Sequence, residues 1–293
     1  MPEVRLINTV GGTSSMLMQL DKDTTLIPGE TNSLVWRHIV FDPNVASELL
    51  ASKKIETVYI THGHCDHFRL AAALREAGAK VVASRREAFF IESPLVHVRA
   101  MFSWANLPAQ MVTRFFQGAP CIVDIFAEDI PPQPVRPVAL PGHSIDHHGF
   151  MLPNRILVAG DALWPLALWE RTPLPYAIDI DQVRASLDTI ASLDFVWLVP
   201  GHGPVLSREE AEKSIQHHRA RLDTIDALFL DILRTPMNVE DAAEALSSRL
   251  GLIDRMNRYW LTIVVVKAFL CSLSQRKLVS YTYDKYKVMW SAA

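Results

Sequence analysis

The chain is short of cysteine, of net charge and of long apolar runs, and each shortage excludes something. Only Cys65, Cys121 and Cys271 occur among 293 residues. An odd, sparse set of thiols cannot build the disulfide framework of a small secreted domain and fits a reducing compartment. Lys and Arg number 29 against 32 Asp and Glu, a formal charge of −3. That balance disfavours attachment to nucleic acid through bulk positive charge, while leaving room for a local basic patch. Met1–Leu20 has no basic stretch leading into an apolar one, so no secretory signal is expected. The longest largely apolar run, Tyr259–Cys271, is interrupted by Thr262 and Lys267 and is too short to cross a bilayer. A cytoplasmic protein without a membrane partner is the expectation. With 49% hydrophobic and 21% charged residues a sizeable core is available.

What is present divides into two patterns. Short runs rich in Val and Ile, namely His38–Asp42, Thr57–Ile60, Lys80–Ala83, Arg155–Ala159 and Phe195–Val199, predict buried strands. Helical spacing covers Val45–Lys54 and Phe68–Ala77, the latter ended by Gly78. Ser93–Pro120, with Met101, Phe102, Trp104, Met111, Phe115 and Phe116, reads as a helical insertion whose apolar residues serve as core, lid or dimer face. Pro131–Pro137 reads as a stiff connection. From Ser207 the pattern turns helical: Glu209–Leu233, Val239–Leu250 and Arg255–Leu273, then two strand-like runs around Asp284–Lys285. Helix, helix and hairpin is the layout of a winged helix. The expected division is 1–206, a catalytic domain, and 207–293, a helical, winged-helix-like domain.

One segment dominates the chemistry: Thr61-His62-Gly63-His64-Cys65-Asp66-His67, directly after the strand TVYI. Imidazole nitrogens and carboxylate oxygens are zinc ligands, and a tight loop leaving a strand can turn alternate side chains toward two neighbouring metals. Further candidates follow other extended runs: Pro141-Gly142-His143, Gly160-Asp161 and Pro200-Gly201-His202-Gly203. Loops past strand ends gather at one edge of a sheet.

In this ordered set the chain resembles the metallo-β-lactamase superfamily of dinuclear metallohydrolases, over roughly residues 30–206. The resemblance implies an α+β fold, a four-layer αββα sandwich with metals at the sheet edge. It implies His62, His64 and His143 on a first metal and Asp66, His67 and His202 on a second, with Asp161 bridging. Asp42 matches the family's supporting strand-end Asp, although the usual Gly two residues later is Asn44. The expected cofactors are two Zn²⁺ ions, with Fe or Mn as substitutes that the same ligands suit. Paired cations about 3.5–4 Å apart lower the pKa of water toward 7 and stabilise an oxyanion. Asp66 is the candidate for orienting the nucleophile and moving its proton.

The leading expectation is a hydrolase of an ester, thioester or lactone-like bond in a small-molecule substrate. Trp164, Trp169 and Tyr176 are candidates for an apolar pocket wall, against the alternative of core packing. His147 is a candidate for supporting the metal ligands or touching substrate. His38, His97, His148, His217 and His218 read as packing or surface residues, and Cys65 as a small buried hydrophobe. One rival keeps the fold and makes the enzyme a phosphodiesterase or ribonuclease. From residue 205 onward, 13 Lys and Arg against 11 Asp and Glu give only +2, a poor funnel for nucleic acid. A second rival is an iron-dependent sulfur dioxygenase or di-iron oxidoreductase, and a third a sensor with a DNA-binding tail. The apolar second tail helix needs more cover than so small a module supplies, so it is expected to pack on the catalytic domain or in a homodimer.

Overall fold

The computed structural model describes residues 3–8, 14–44, 50, 52–109, 118–131, 134–253 and 256–293. An eight-stranded sheet runs in chain order: β1 (Glu3–Asn8), β2 (Ser14–Asp21), β3 (Thr24–Ile27), β4 (Ser33–Trp36), β5 (Ile39–Phe41), β6 (Thr57–Tyr59), β7 (Lys80–Ala83) and β8 (Ile125–Phe126). Pairing is antiparallel as far as β5 and parallel from there to β8. Helices α1 (Ala71–Glu76), α2 (Arg85–Glu92) and α3 (Pro94–Met101) interrupt the second half. A five-stranded sheet follows, from β9 (Arg136–Ala139), β10 (His148–Met151), β11 (Ile156–Gly160), β12 (Trp197–Pro200) and β13 (Leu206–Ser207). Its order is β13-β12-β11-β10-β9, with only β11 and β12 parallel. Helices α4 (Leu166–Trp169) and α5 (Ile180–Ser192) lie between β11 and β12.

Alternation along each strand supplies two faces, and the molecule uses both. Phe41, Tyr59 and Val82 of the first sheet meet Phe150, Ile156, Val158 and Val199 of the second in a core between the sheets. Phe41, Tyr59 and Phe150 stack with centroids 5.0–5.8 Å apart. The intervening Val40, Val58 and Val81 turn the other way, against Phe68, Ala71, Ala88 and Ile91 at α1 and α2. Leu157, Ala159 and Leu198 likewise face α5 and the C-terminal helices. Three cores between four layers give the αββα sandwich, of the α+β class.

The C-terminal region comprises α6 (Arg208–Ile232), α7 (Val239–Leu250), α8 (Met256–Gln275) and the hairpin β14 (Val279–Asp284) and β15 (Lys287–Ala292). Ser207 caps α6 in a capping box with Glu210. Asn238 caps α7, and Gly251, at φ +64°, ends it. This region is not a separate lobe in its packing. Ile215, Leu222, Ile225, Phe229 and Phe269 share one apolar cluster with Leu163, Leu187, Ile190 and Leu198. Among the described residues no helix is long and apolar enough to cross a membrane.

Several sequence expectations shift. The helix placed at Phe68–Ala77 begins only at Ala71. His67–Leu70 are held in turns, with His67 N–H donating to His64 O at 2.9 Å and Ala71 N–H to Phe68 O at 2.9 Å. The insertion at Ser93–Pro120 is helical over α3 and irregular from Phe102 to Pro108, while Met111, Phe115 and Phe116 lie outside the described residues. Most of the helix expected at Val45–Lys54 also lies outside them, as do two residues of Pro131–Pro137, whose end enters β9.

Candidate metal centre

The parallel strands aim their loops at one edge. Phe41 of β5 pairs with Tyr59 of β6, and Gly160 of β11 with Pro200 of β12. Asp42, Thr61–His67, Asp161 and His202 therefore emerge side by side, and the loop between β9 and β10 adds His143.

Two donor groups form there: His62, His64, His143 and Asp161, all buried, and Asp66, His67 and His202. Within each group one ligand atom per residue lies within 4.8 Å of the others. His64 Nδ1 faces His62 Nε2 at 2.8 Å and His143 Nε2 at 3.0 Å. Burial, reinforced by the neighbouring rings, pushes the pKa of His62 and His64 well below the ordinary histidine range. Burial lowers His143 as well, against the pull of Asp161. Neutral imidazoles whose lone pairs converge this closely are a cation-binding arrangement.

In the second group, His67 Nε2 is buried and has no hydrogen-bond partner. It stands 3.6 Å from both Asp66 Oδ2 and Asp161 Oδ1. Burial opposes a proton on His67, but Asp66, Asp42 and Asp161 outweigh it and raise its pKa well above the ordinary value. His202 is raised to about 9, burial being overcome chiefly by Asp161. Asp161 belongs to both groups in position. Its Oδ2 lies 3.4 Å from His143 Nε2 and 3.4 Å from His202 Nε2. Burial opposes its ionisation, yet the charges of His202, His67 and His143 hold the carboxyl well below its usual range. Nitrogen and oxygen donors in two linked groups fit a dinuclear metal site.

Outer partners fix the rings. His143 Nδ1–H donates to Tyr176 O at 2.9 Å, which leaves Nε2 with its lone pair inward. His202 Nδ1–H donates to the Glu30 carbonyl. His67 Nδ1–H donates to Asp42 Oδ2 at 2.9 Å. Asp42 also accepts Thr61 N–H and Oγ1–H, each at 2.8 Å. It sits at φ +46°, a left-handed conformation that Asp tolerates better than most residues.

The loops are tied to one another by residues that the sequence reading missed. Thr31 Oγ1–H donates to Asp66 Oδ2 at 2.6 Å. Asn32 Nδ2–H donates to Pro200 O and Gly203 O at 3.0 and 2.8 Å. Glu87 Oε2 accepts Gly63 N–H at 2.8 Å, while its Oε1 accepts Ser144 Oγ–H at 2.7 Å and Asp146 N–H at 2.8 Å. One buried carboxylate thus joins the His62–His67 loop to the His143 loop. Its signal was present: Glu87 shares the apolar face of α2 with Ala88 and Ile91, where an acid needs partners.

The remaining candidates separate. A cavity of about 400 Å³ opens on His64, Asp66, His143, Asp161 and His202, and Trp164 and Tyr176 line it. Trp169 is buried against His217 and His218 of α6, with centroids 5.4 and 4.9 Å away. His147 stands behind the site, its Nε2 accepting Asp161 N–H at 3.1 Å. Cys65 is buried, its thiol pushed up to about 12 by burial and then by Asp66. It belongs to the core beneath the first sheet, as expected of a small hydrophobe.

Gly201 is the tightest point. A Cβ there would lie 2.1 Å from Asp161 Oδ1 and 2.7 Å from His67 Cε1. Gly201→Ala is expected to displace both and to lower any metal-dependent turnover at least about 100-fold, since a 1 Å misplacement can cost that much. Elemental analysis beside circular dichroism checks it: metal content should fall while the helical signal stays.

Residues 8–202 match the family described as the metallo-beta-lactamase superfamily. A metallo-beta-lactamase family protein of Thermus thermophilus superposes with a TM-score of 0.62 at 18% identity, over 100% of this chain and 98% of that one. A beta-lactamase domain protein of Burkholderia ambifaria gives 0.62 at 17% identity, over 99% and 92%. The DIM-1 metallo-beta-lactamase gives 0.51 at 15% identity, over 75% and 98%. No curated protein matches by sequence. Matched along about two thirds of its length, and with the motif residues of that family gathered at one sheet edge, the chain belongs to the metallo-beta-lactamase superfamily.

Proposed function

We propose that the protein is a dinuclear metal hydrolase acting on an ester, thioester or lactone-like bond, with zinc as the metal. In this reading His62, His64 and His143 hold one ion, Asp66, His67 and His202 the other, and Asp161 both. The observation that carries it is the position of Asp161, whose two oxygens face imidazoles of both donor groups. Bound divalent metal supplies Lewis acidity, which acidifies water at neutral pH and polarises a carbonyl.

The chain's own residues do the rest. Asp66 lines the cavity with Oδ2 fixed by the Thr31 hydroxyl, so its carboxylate is held in one orientation. It orients the attacking water and accepts its proton. Hydroxyl adds to the acyl carbon, the acyl–oxygen or acyl–sulfur bond breaks, and the proton passes to the leaving group. The apolar Trp164, Leu174 and Val265 on the cavity wall suit an acyl substrate and exclude bulk water.

Purified protein should carry close to two equivalents of zinc and hydrolyse a thioester or lactone ahead of a phosphodiester. A chelator should remove both the metal and the activity. A single tightly held iron, with no hydrolysis anywhere in a panel of thioester, lactone, phosphodiester and β-lactam, would replace this reading with the dioxygenase.

A further inference from the structure

We propose that α8 is the substrate-facing wall of the site and that Arg258 on it binds an anionic group of the substrate. The substrate class is then an acid-bearing ester or thioester with a small apolar acyl group. The chemistry of the bond rests on the hydrolase reading above, while the recognition of the anion does not.

Four residues of α8 reach the metal-site cavity: Arg258, Leu261, Thr262 and Val265. Their spacing, i, i+3, i+4 and i+7, is one face of a helix. The helix is held there from both sides. Phe269 is in the core of the second sheet's outer face, and the Trp260 ring packs edge-on against Phe102, just past α3, with centroids 4.7 Å apart. A helix of the C-terminal region therefore completes a cavity whose floor comes from the two sheets.

Arg258 is the cation on that wall. It is half-buried and makes no hydrogen bond or ion pair to another described residue. Glu30 lines the same cavity, and Glu240, Asp241 and Glu244 line a neighbouring one that Arg258 also borders, yet none of these acids closes a salt bridge with it. A guanidinium partly withdrawn from water favours a carboxylate or phosphate partner, which it can grip with two parallel hydrogen bonds. Arg258 also lies in the first turn of α8, where the helix dipole favours negative charge. Seven protein ligands contribute only two carboxylates, Asp66 and Asp161, so two bound dications would leave the centre positive as well.

The apolar end has its own place. A recess of about 190 Å³ is walled by Phe90, Met101, Ile145, Ile178 and Val264. It meets the metal-site cavity at His64 and Tyr176, which line both. At this size it holds a short acyl chain or one ring, and not a whole ligand, which takes about 300–1,000 Å³. With the acyl group in the recess and the anion at Arg258, the scissile bond crosses between them beside His64 and His143. The anion therefore belongs to the leaving-group side.

The test uses the full-length, metal-loaded protein and two matched pairs of probes. One pair is the butyryl thioester of 3-mercaptopropionic acid and that of its primary amide, which share the thioester bond and differ in one charge. The other is the pair of corresponding S-butyl thioethers, which contain neither ester nor thioester bond and report binding by calorimetry. Wild-type protein should bind the acid thioether more tightly than its primary amide. Arg258→Ala should shrink that preference about 10- to 100-fold, the scale of one charged hydrogen-bonding partner. Arg258→Lys should restore part of it, and the thioester pair should show the same change in KM. Equal binding of acid and amide by wild type, no measurable binding of either, or an unchanged preference in Arg258→Ala would each overturn the proposal. If the acid thioether binds through Arg258 but neither thioester is cleaved, the hydrolase reading falls and the anion site stands.

Discussion

Asp161→Ala is expected to give a folded protein with turnover reduced to background and with the metal content of both donor groups depleted. The size of the effect follows from where the carboxylate stands. Three imidazoles face it, those of His67, His143 and His202, at 3.4–3.6 Å. Its backbone is placed independently: Asp161 N–H donates to His147, and Gly160 holds φ +51° in a space where a Cβ would lie 2.6 Å from His147 Nε2. Removing the side chain therefore deletes the carboxylate that faces both donor groups without releasing the loop. Loss of a supporting partner of a metal ligand costs 10- to 100-fold in affinity, so loss of the ligand itself should exceed about 100-fold. Asp161→Asn separates charge from shape. It keeps a carbonyl oxygen in place but removes the negative charge, and should lower metal affinity nearly as far. Elemental analysis, activity and circular dichroism on both variants provide the check. Near-normal activity in Asp161→Ala would show that the two donor groups do not work as one centre.

How far this centre was legible depends on where its information lies in the chain. His62, His64, Asp66 and His67 are contiguous, and His143, Asp161 and His202 each follow an extended run closed by glycine, so local pattern sufficed. Strands β5, β6, β7, β11 and β12 were legible for the same reason, being continuous Val- and Ile-rich runs. The N-terminal strands β1 to β4 were not. Ser14–Asp21, with Ser, Met and Gln, carries little strand signal, and its place depends on pairing with neighbours. β10, His148–Met151, contains Gly149 and is buried throughout, which only tertiary packing decides. Trp164 and Trp169 could not be told apart by sequence. The short helix α4 turns Trp169 onto α6 while Trp164 stays at the cavity. Arg258 gave no local signal, and that of Glu87 marked only a buried acid, because each comes to the site across the fold: one lines the cavity from α8, the other joins two loops from α2.

Deleting residues 207–293 is expected to leave an insoluble or aggregating fragment with no measurable cooperative unfolding. The region removed covers the outer face of the second sheet. Val183, Leu187 and Ile190 of α5 and Leu198 of β12 lie in the same cluster as Ile215, Leu222, Ile225, Phe229 and Phe269. Each such side chain contributes about 1.5–3 kcal/mol when fully buried. Exposing a handful of them consumes a net stability that is about 5–15 kcal/mol for a typical protein. Polar partners go with them. Arg184 loses Asp223 at 2.7 Å and Asp226 at 2.9 Å, and Asp181 loses the Ser272 hydroxyl at 2.7 Å. The cavity also loses the wall formed by Leu261, Thr262 and Val265. A graded version keeps the chain whole. Phe269 is 1% exposed, with its ring 5.5 Å from that of Phe229. Phe269→Ala should cost about 3–5 kcal/mol and lower the Tm by about 10 °C. Since Phe269 is not a metal ligand, the variant should still load metal below its melting point. Light scattering on the fragment and calorimetry on the variant decide the matter. A monomeric fragment of residues 1–206 with a sharp thermal transition would show that the αββα sandwich closes its own core and that the C-terminal helices only rest upon it.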